Sequence, residues 1–181
     1  WCGITFESNL ASPLNGVENL YIDGVLSSGN TIVIPEGITA ISNFAFYGFK
    51  GSMDIEIPDS VTSIGNSAFR GCTGLKSIRW GDGLKSIGHY AFYECSGLKE
   101  LTIPDDVTSI GNSAFYGCTS LTSVIMGRGV TSIANSLFQN CISLTHVEIP
   151  EGVTSIGNVF IGCTSLTDIV IPDGVTSIGN W

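Results

Sequence analysis

The six cysteines carry the most obvious potential chemistry in this 181-residue chain, since an even number of thiols is typical of a disulfide framework or a metal site. No Cys-x-x-Cys or Cys/His spacing occurs, which argues against a metal site. A regular period argues against a disulfide framework, because equivalent side chains in stacked coils would point in parallel directions and could not form a bridge. Five of them recur at intervals of 22 or 23 residues: Cys72, Cys95, Cys118, Cys141 and Cys163. A fixed period predicts one structural position in successive coils of a repeat. We therefore predict free, buried thiols that act as small core residues. Cys2 lies outside the series, and its state is left open.

The other residues that could catalyse a reaction do not form a known constellation. His89 and His146 occupy different positions of the repeat and lie more than two coils apart. Serine and threonine recur in every copy, as in Val-Thr-Ser-Ile, which indicates a scaffold role. No Gly-rich phosphate loop or metal motif occurs. We expect no enzyme activity, no catalytic residue, no cofactor and no metal site.

One turn of each repeat carries an acidic residue, interrupted once by Arg128; the acidic positions are Glu36, Asp59, Asp82, Asp105, Glu151 and Asp173. Carboxylates in neighbouring coils would lie about 5 Å apart, and such a row could attract Ca²⁺. The spacing matches no calcium-binding loop, so solvated turn residues are the favoured interpretation. Calcium binding at this row is left open.

The composition limits the classes of partner. The formal net charge of −9 argues against binding to nucleic-acid phosphates, and also against adsorption to anionic lipid. No stretch approaches the roughly 18 apolar residues of a membrane span, so we expect no direct membrane insertion. Because Trp1-Cys2 is not a natural translation start, we expect the chain to be a processed or excised piece.

The elements that position these residues follow from the apolar pattern. Leu75, Ile78 and Trp80 lie in an apolar-x-x-apolar-x-apolar pattern that recurs in each copy. Its last two positions alternate as in a strand, which predicts a short parallel strand with one buried face. In the preceding copy Pro58 lacks an amide hydrogen and ends the strand.

The second half of each repeat returns the chain to the core. Val61 and Ile64 predict a second short extended segment. Asn66 could cap a following turn of helix or 3₁₀ helix at Ser67-Ala68-Phe69, or form a ladder with its equivalents, and His89 takes its place in one copy. No coil can bury its apolar side alone, so stacking must supply the core.

These patterns predict two regions. Residues 31–181 form the array, with about six full coils and a truncated seventh. Residues 1–30 do not fit the repeat and predict an N-terminal cap of short strands, with a hairpin turn at Asp23-Gly24.

The repeat Leu-x-x-Ile-x-Ile-Pro-x-x-Val-x-x-Ile-x-x-x-Ala-Phe-x-x-Cys resembles the 23-residue leucine-rich repeats of the Treponema pallidum and BspA type. The resemblance covers roughly residues 31–181. It implies an α/β-type repeat solenoid: a right-handed superhelix with short parallel strands on one side and extended, 3₁₀ or one-turn helical segments on the other. It also implies an extracellular or cell-surface protein of gut or oral bacteria.

The candidate binding face consists of exposed strand positions, because leucine-rich repeats usually bind through their sheet. These positions vary between copies while the core positions do not. A binding surface needs such variation, and an unselected solvated face would show it equally. The candidate residues are Asp54, Glu56, Lys76, Ser77, Arg79, Lys99, Glu100, Thr102, Ser123, Ile125, His146, Glu148 and Asp168. Among them, Lys76 and Lys99 flank the face and form a small basic island with Arg79.

A secondary aromatic stripe follows the repeated phenylalanine and comprises Tyr47, Arg70, Tyr93 and Tyr116. If it faces outward, Arg70 would lie between two tyrosines in a cation–π arrangement. Such a column could bind sugar rings, but packing of ring on ring along the convex side is the favoured interpretation.

The expected function is a non-enzymatic, surface-displayed ligand-binding or adhesion module, a monomeric array that binds a host or microbial surface protein or glycan through its exposed sheet face. The alternative is a spacer or stalk within a larger surface protein that has no ligand of its own.

Overall fold

The computed structural model describes residues 31–179 and two short strands before them, Tyr21–Ile22 (β1) and Val25–Leu26 (β2). These two strands pair antiparallel on either side of Asp23-Gly24. The rest of the predicted 1–30 cap lies outside the described residues, as do Cys2, Asn180 and Trp181, so the cap stays a prediction.

Each coil places one strand on the front side of the solenoid and a shorter strand on the back. The front strands are β3 (Thr31–Val33), β5 (Met53–Glu56), β7 (Leu75–Arg79), β9 (Glu100–Thr102), β11 (Ser123–Ile125) and β13 (His146–Glu148). The back strands are β4 (Ala40–Ile41), β6 (Ser63–Ile64), β8 (Ser86–Ile87), β10 (Ser109–Ile110), β12 (Ser132–Ile133), β14 (Ser155–Ile156) and β15 (Ser177–Ile178).

All pairing between coils is parallel. On the front, β3-β5-β7 and β9-β11-β13 form two three-stranded groups. On the back, β4-β6-β8-β10 and β12-β14-β15 form a second pair of groups. The back strands confirm the predicted extended segment, because Ile64 is 2% exposed and fills the core while Ser63 beside it stays half-buried. The result is a parallel β-solenoid of about six turns.

The corner between back and front is a run of turns, not the helical or 3₁₀ turn that was one predicted alternative. Within residues 31–179 the structure has no helix. The reason lies in the hydrogen bonds: Ser67 N donates to His89 O at 2.9 Å and Phe69 N to Ala91 O at 2.7 Å, both in the next coil. Ser67 also has a φ of 55°, in the left-handed region, which a right-handed helix cannot include. The amides are thus satisfied between coils, where a helix would satisfy them within one.

The core is a stack of similar layers. Phe46, Phe69 and Phe92 lie ring over ring, with centroids 4.9 and 5.0 Å apart and planes within 7° of parallel. The five repeated cysteines are free and buried beside this stack, which confirms their predicted role. Across the described residues, the structure has no helix long and apolar enough to span a membrane.

Candidate binding surface

The front strands present two columns of outward side chains, which we call the front face. Strand register places Asp54 opposite Ser77, and Glu56 opposite Arg79, across β5 and β7. The same register continues in the second group, so the columns are extended by Glu100, Ser123 and His146 and by Thr102, Ile125 and Glu148. Buried residues alternate with these positions, as in the exposed-buried-exposed pattern of β9. The structure therefore brings these ten candidate residues together on one face.

The first group of strands carries polar contacts on this face. Ser77 Oγ donates to Asp54 Oδ1 at 2.6 Å. Arg79 Nη1 lies 3.4 Å from Glu56 Oε1, with side chains 79% and 40% exposed. An ion pair this exposed stabilises a fold by about 0–1 kcal/mol, because water screens it. Arg79 therefore remains accessible to a partner.

The basic island lies at the edge of the front face. Lys76 is exposed within β7, and Lys99 is exposed immediately before β9. The Lys99 main chain is held in place, because its carbonyl accepts hydrogen bonds from Thr122 N at 2.8 Å and from Thr122 Oγ1 at 3.1 Å.

Asp168 differs from the other candidates. The sequence places it on a strand, whereas residues 164–170 form no strand in the structure. The physical reason is that nothing in this segment pairs with β13, and a strand without a ladder is not stabilised. Asp168 instead accepts a hydrogen bond from its neighbour Thr167 Oγ1 at 2.8 Å and is exposed.

The secondary stripe packs as stacked rings. Tyr93 and Tyr116 lie 4.5 Å apart with planes 3° from parallel, and Arg70 lies 4.6 Å from the Tyr93 ring centroid. Asn140 Nδ2 donates to the Tyr116 hydroxyl at 2.7 Å. Burial, followed by the charge of Glu94, raises the pKa of Tyr93, while Arg70 lowers it. The favoured prediction of packing between rings agrees with these contacts.

The sequence prediction missed one residue that contacts this stripe, Tyr90. Arg70 also lies over Tyr90, at 5.9 Å from its ring centroid. Tyr90 occupies a repeat position that is serine in most other copies, and this substitution was the available signal. Tyr47 makes an edge contact with Phe44, with centroids 6.0 Å apart.

The acidic turn row forms a hydrogen-bonded ladder on the surface. Asp59 Oδ1 accepts from Asp82 N at 2.9 Å, and Asp105 Oδ1 accepts from Arg128 N at 2.9 Å. Carboxylate oxygens here bind the main chain of the next coil while their side chains stay exposed. Among the described residues, no group of three or more His, Cys, Asp or Glu side chains is arranged to hold a metal ion.

Two clefts at the carboxyl ends of the front strands were not predicted. The first cleft, of about 500 Å³, follows β3, β5 and β7 and is lined by side chains that include Val33, Glu36, Glu56, Asp59, Arg79, Trp80 and Asp82. The second cleft, of about 480 Å³, follows β11 and β13 and is lined by side chains that include Asp105, Ile125, Arg128, Glu148 and Glu151. The sequence signal for these clefts was an apolar residue at an exposed strand position, Val33 in β3 and Ile125 in β11.

The repeated thiols have no access to a partner. Cys72 Sγ donates to Phe46 O at 3.0 Å, and Cys95 Sγ to Phe69 O at 3.1 Å. Burial raises the pKa of Cys72 to about 12 and raises that of Cys95 well above its ordinary value. Since a thiolate is the nucleophilic form, the raised pKa values of these thiols disfavour nucleophilic chemistry in the folded chain.

Comparison with known proteins agrees with this architecture. The sequence matches the BspA type leucine rich repeat region in six copies, over residues 26–104 and 85–181. No curated relative matches the chain.

Solved structures of bacterial repeat proteins are similar to this chain. A leucine rich cell surface protein of Faecalibacterium prausnitzii has a TM-score of 0.74 and 39% identity over 83% of this chain and 44% of its own. A Treponema pallidum leucine-rich-repeat protein has a TM-score of 0.58 and 30% identity over 77% of this chain and 79% of its own. A Bacteroides ovatus leucine-rich-repeat protein has a TM-score of 0.55 and 32% identity over 86% of this chain and 45% of its own.

The chain spans less than half of the Faecalibacterium protein, so the comparison concerns the repeat array. The family match covers well over half of the present sequence, and its repeats coincide with the coils of the solenoid. The chain therefore belongs to the BspA-type leucine-rich-repeat family.

Proposed function

We propose that this chain is a non-enzymatic module that binds a protein or glycan of a host or of another microbe through its front face, and that it is displayed outside a bacterial cell. One observation carries the proposal. Outward positions of the front strands change chemical character from coil to coil, while the inward positions stay apolar.

The contrast between neighbouring positions makes this variation informative. In β9, β11 and β13 the central residue is always aliphatic and buried: Leu101, Val124 and Val147. The residues before it are Glu100, Ser123 and His146, which differ in charge and in hydrogen-bonding capacity. A rigid scaffold with a variable polar surface is suited to recognition by complementary shape and charge.

Display outside the cell is supported by the similarity to a bacterial surface protein. The Faecalibacterium relative is described as a cell surface protein, and its repeats share 39% identity with this chain. A surface location would place the front face in contact with mucin, matrix protein or the glycans of other cells. The family consists of repeat proteins, and binding without catalysis is the simplest use of such a surface.

The proposal is tested by binding to immobilised mucin, matrix proteins and a glycan array. The decisive variant combines Arg79→Ala, Glu100→Ala and His146→Ala, which removes three side chains of the front face while preserving the buried positions. A matched control combines Lys85→Ala and Asp106→Ala, an exposed ion pair outside the front face.

The expected result is saturable binding that falls at least about tenfold in the front-face variant, since three interface side chains are removed. The control should bind like the unchanged chain. If the front-face variant binds as tightly as the control, the face is wrongly assigned. If no ligand binds the unchanged chain, the alternative function as a spacer or stalk is favoured.

A further inference from the structure

We propose that the two clefts receive two basic side chains, four residues apart, from one extended segment of a partner protein. This inference goes beyond the proposed function, because it assigns the clefts at the carboxyl ends of the front strands to a second partner, a protein segment rich in lysine or arginine, which is separate from the ligand of the front face. The two clefts lie at the carboxyl ends of the two three-stranded groups, so each group contributes one of them.

The charges of the first cleft favour a cation. Four carboxylates line it, those of Glu36, Glu56, Asp59 and Asp82, against the single guanidinium of Arg79. Arg79 is paired with Glu56, which leaves three carboxylates whose charge no arginine in the cleft balances. Attraction to a lysine ammonium therefore exceeds its repulsion by Arg79.

The second cleft has the same character. Asp105, Glu148 and Glu151 line it, with Arg128 as its single basic residue. The two clefts therefore share a surplus of carboxylates, although different coils supply them. A ligand with two cations can occupy both clefts at once and should therefore bind more tightly than a ligand with one cation.

Each cleft also presents apolar surface, which distinguishes lysine or arginine from a simple cation. Val33 is 56% exposed at the first cleft, which the half-buried Trp80 also lines. Ile125 is 41% exposed at the second. The methylene stem of a lysine or arginine side chain can cover these surfaces while its charged end reaches the carboxylates.

The separation of the clefts sets the spacing of the basic residues. Their centres lie three coils apart, and coils stack at about 4.8 Å, which gives about 14 Å. An extended peptide advances about 3.4 Å per residue, so side chains four positions apart span the same distance. Positions one, three and five of such a segment face the same side, which directs both basic residues at the clefts.

The test uses the whole 181-residue chain and fluorescence anisotropy of a labelled peptide, Gly-Lys-Ser-Val-Ser-Lys-Gly. The matched peptide, Gly-Lys-Lys-Ser-Val-Ser-Gly, has the same composition and charge but places both lysines together. The protein variant combines Glu36→Gln and Glu151→Gln, one in each cleft. Its control combines Glu94→Gln and Asp106→Asn, which change the net charge equally outside both clefts.

We expect saturable binding of the spaced peptide, about tenfold tighter than that of the adjacent-lysine peptide. The cleft variant should lose about tenfold in affinity for the spaced peptide, and the control should stay within about twofold. Equal affinity for the two peptides, or equal loss in the two variants, would show attraction to net charge alone and overturn the inference. An absence of saturable binding would overturn it as well.

The two proposals fail in different ways. If the spaced peptide does not bind but a surface ligand is lost when Arg79, Glu100 and His146 are replaced, the front face binds a partner and the cleft inference is wrong. If neither the peptide nor any surface ligand binds, both proposals are wrong.

Discussion

Cys95 Sγ donates a hydrogen bond to the main-chain carbonyl oxygen of Phe69, 26 positions earlier, at 3.1 Å. The same contact recurs from Cys72 to Phe46 at 3.0 Å and from Cys118 to Phe92 at 3.4 Å. Each thiol thus links its own coil to the phenylalanine of the coil before it. The cysteine position therefore supports the spacing between coils as well as filling the core.

Replacing Cys95 with alanine should lower the free energy of unfolding by about 1–2 kcal/mol, because a small cavity and a lost hydrogen bond result. Urea denaturation followed by circular dichroism measures the loss. Cys163→Ala is the comparison, since Cys163 is 8% exposed whereas Cys95 is fully buried. A larger loss for Cys163→Ala than for Cys95→Ala would contradict the assigned role.

The buried thiols predict a loss of stability at alkaline pH. Burial raises the pKa of Cys72 from 9.0 to about 12, so the unfolded chain releases this proton at lower pH than the folded chain. The unfolded state binds fewer protons in this window, and the free energy of unfolding falls as pH rises. The contribution is fully present below about pH 9 and is lost between about pH 9 and 12.

Urea denaturation from pH 8 to 11 checks this expectation with Cys72→Ala as the matched variant. Tyrosine and lysine titrate in the same range in both proteins, so the difference between the two curves isolates Cys72. The difference in unfolding free energy should shrink as pH rises. A constant difference across the range would show that the thiol is not shielded from solvent.

Arg70→Ala should raise the pKa of Tyr93 further, because the guanidinium 4.6 Å from its ring lowers that pKa. Ultraviolet titration of tyrosinate absorbance reports the change, and Tyr93→Phe identifies which transition belongs to Tyr93. Loss of the cation–π contact should also cost about 0.5–1 kcal/mol of stability. An unchanged titration curve would place Arg70 away from the ring.

His89 should be replaceable by asparagine but not by alanine. Its Nδ1 accepts a hydrogen bond from Asn112 N at 2.9 Å, and in the coil before it Asn66 Oδ1 accepts from His89 N at 2.8 Å. His89→Asn keeps the acceptor, whereas His89→Ala leaves the Asn112 amide without it, at a cost of about 1 kcal/mol. Thermal denaturation should rank the variants in that order. Equal melting temperatures would refute the ladder.

Much of the fold could be predicted from the period alone. The spacing of Cys72 and its equivalents indicates coils, and alternation around Ile78 indicates the front strand. The Asn66 position was predicted as a cap or a ladder, and the ladder is what the structure has. These features depend on burial and hydrogen bonding that recur in most coils, so one chain contains several copies of the same signal.

Features that depend on neighbouring coils were harder to predict. The sequence around Ser67 is compatible with a turn of helix, and hydrogen bonds to the carbonyls of His89 and Ala91 in the next coil decide against it. Tyr90 contacts Arg70 from a different position of the repeat, so a column-by-column comparison misses it. The clefts likewise combine residues such as Val33 and Asp82, which lie in different coils and different positions.

The most direct test of the binding face is amide NMR of the labelled chain with and without a partner found in the binding screen. We expect the largest shifts in residues 54–56, 77–79, 100–102, 123–125 and 146–148, and small shifts along the back strands. Shifts concentrated instead at Tyr90, Tyr93 and Tyr116, with the front strands unchanged, would contradict the assignment of binding to the front face.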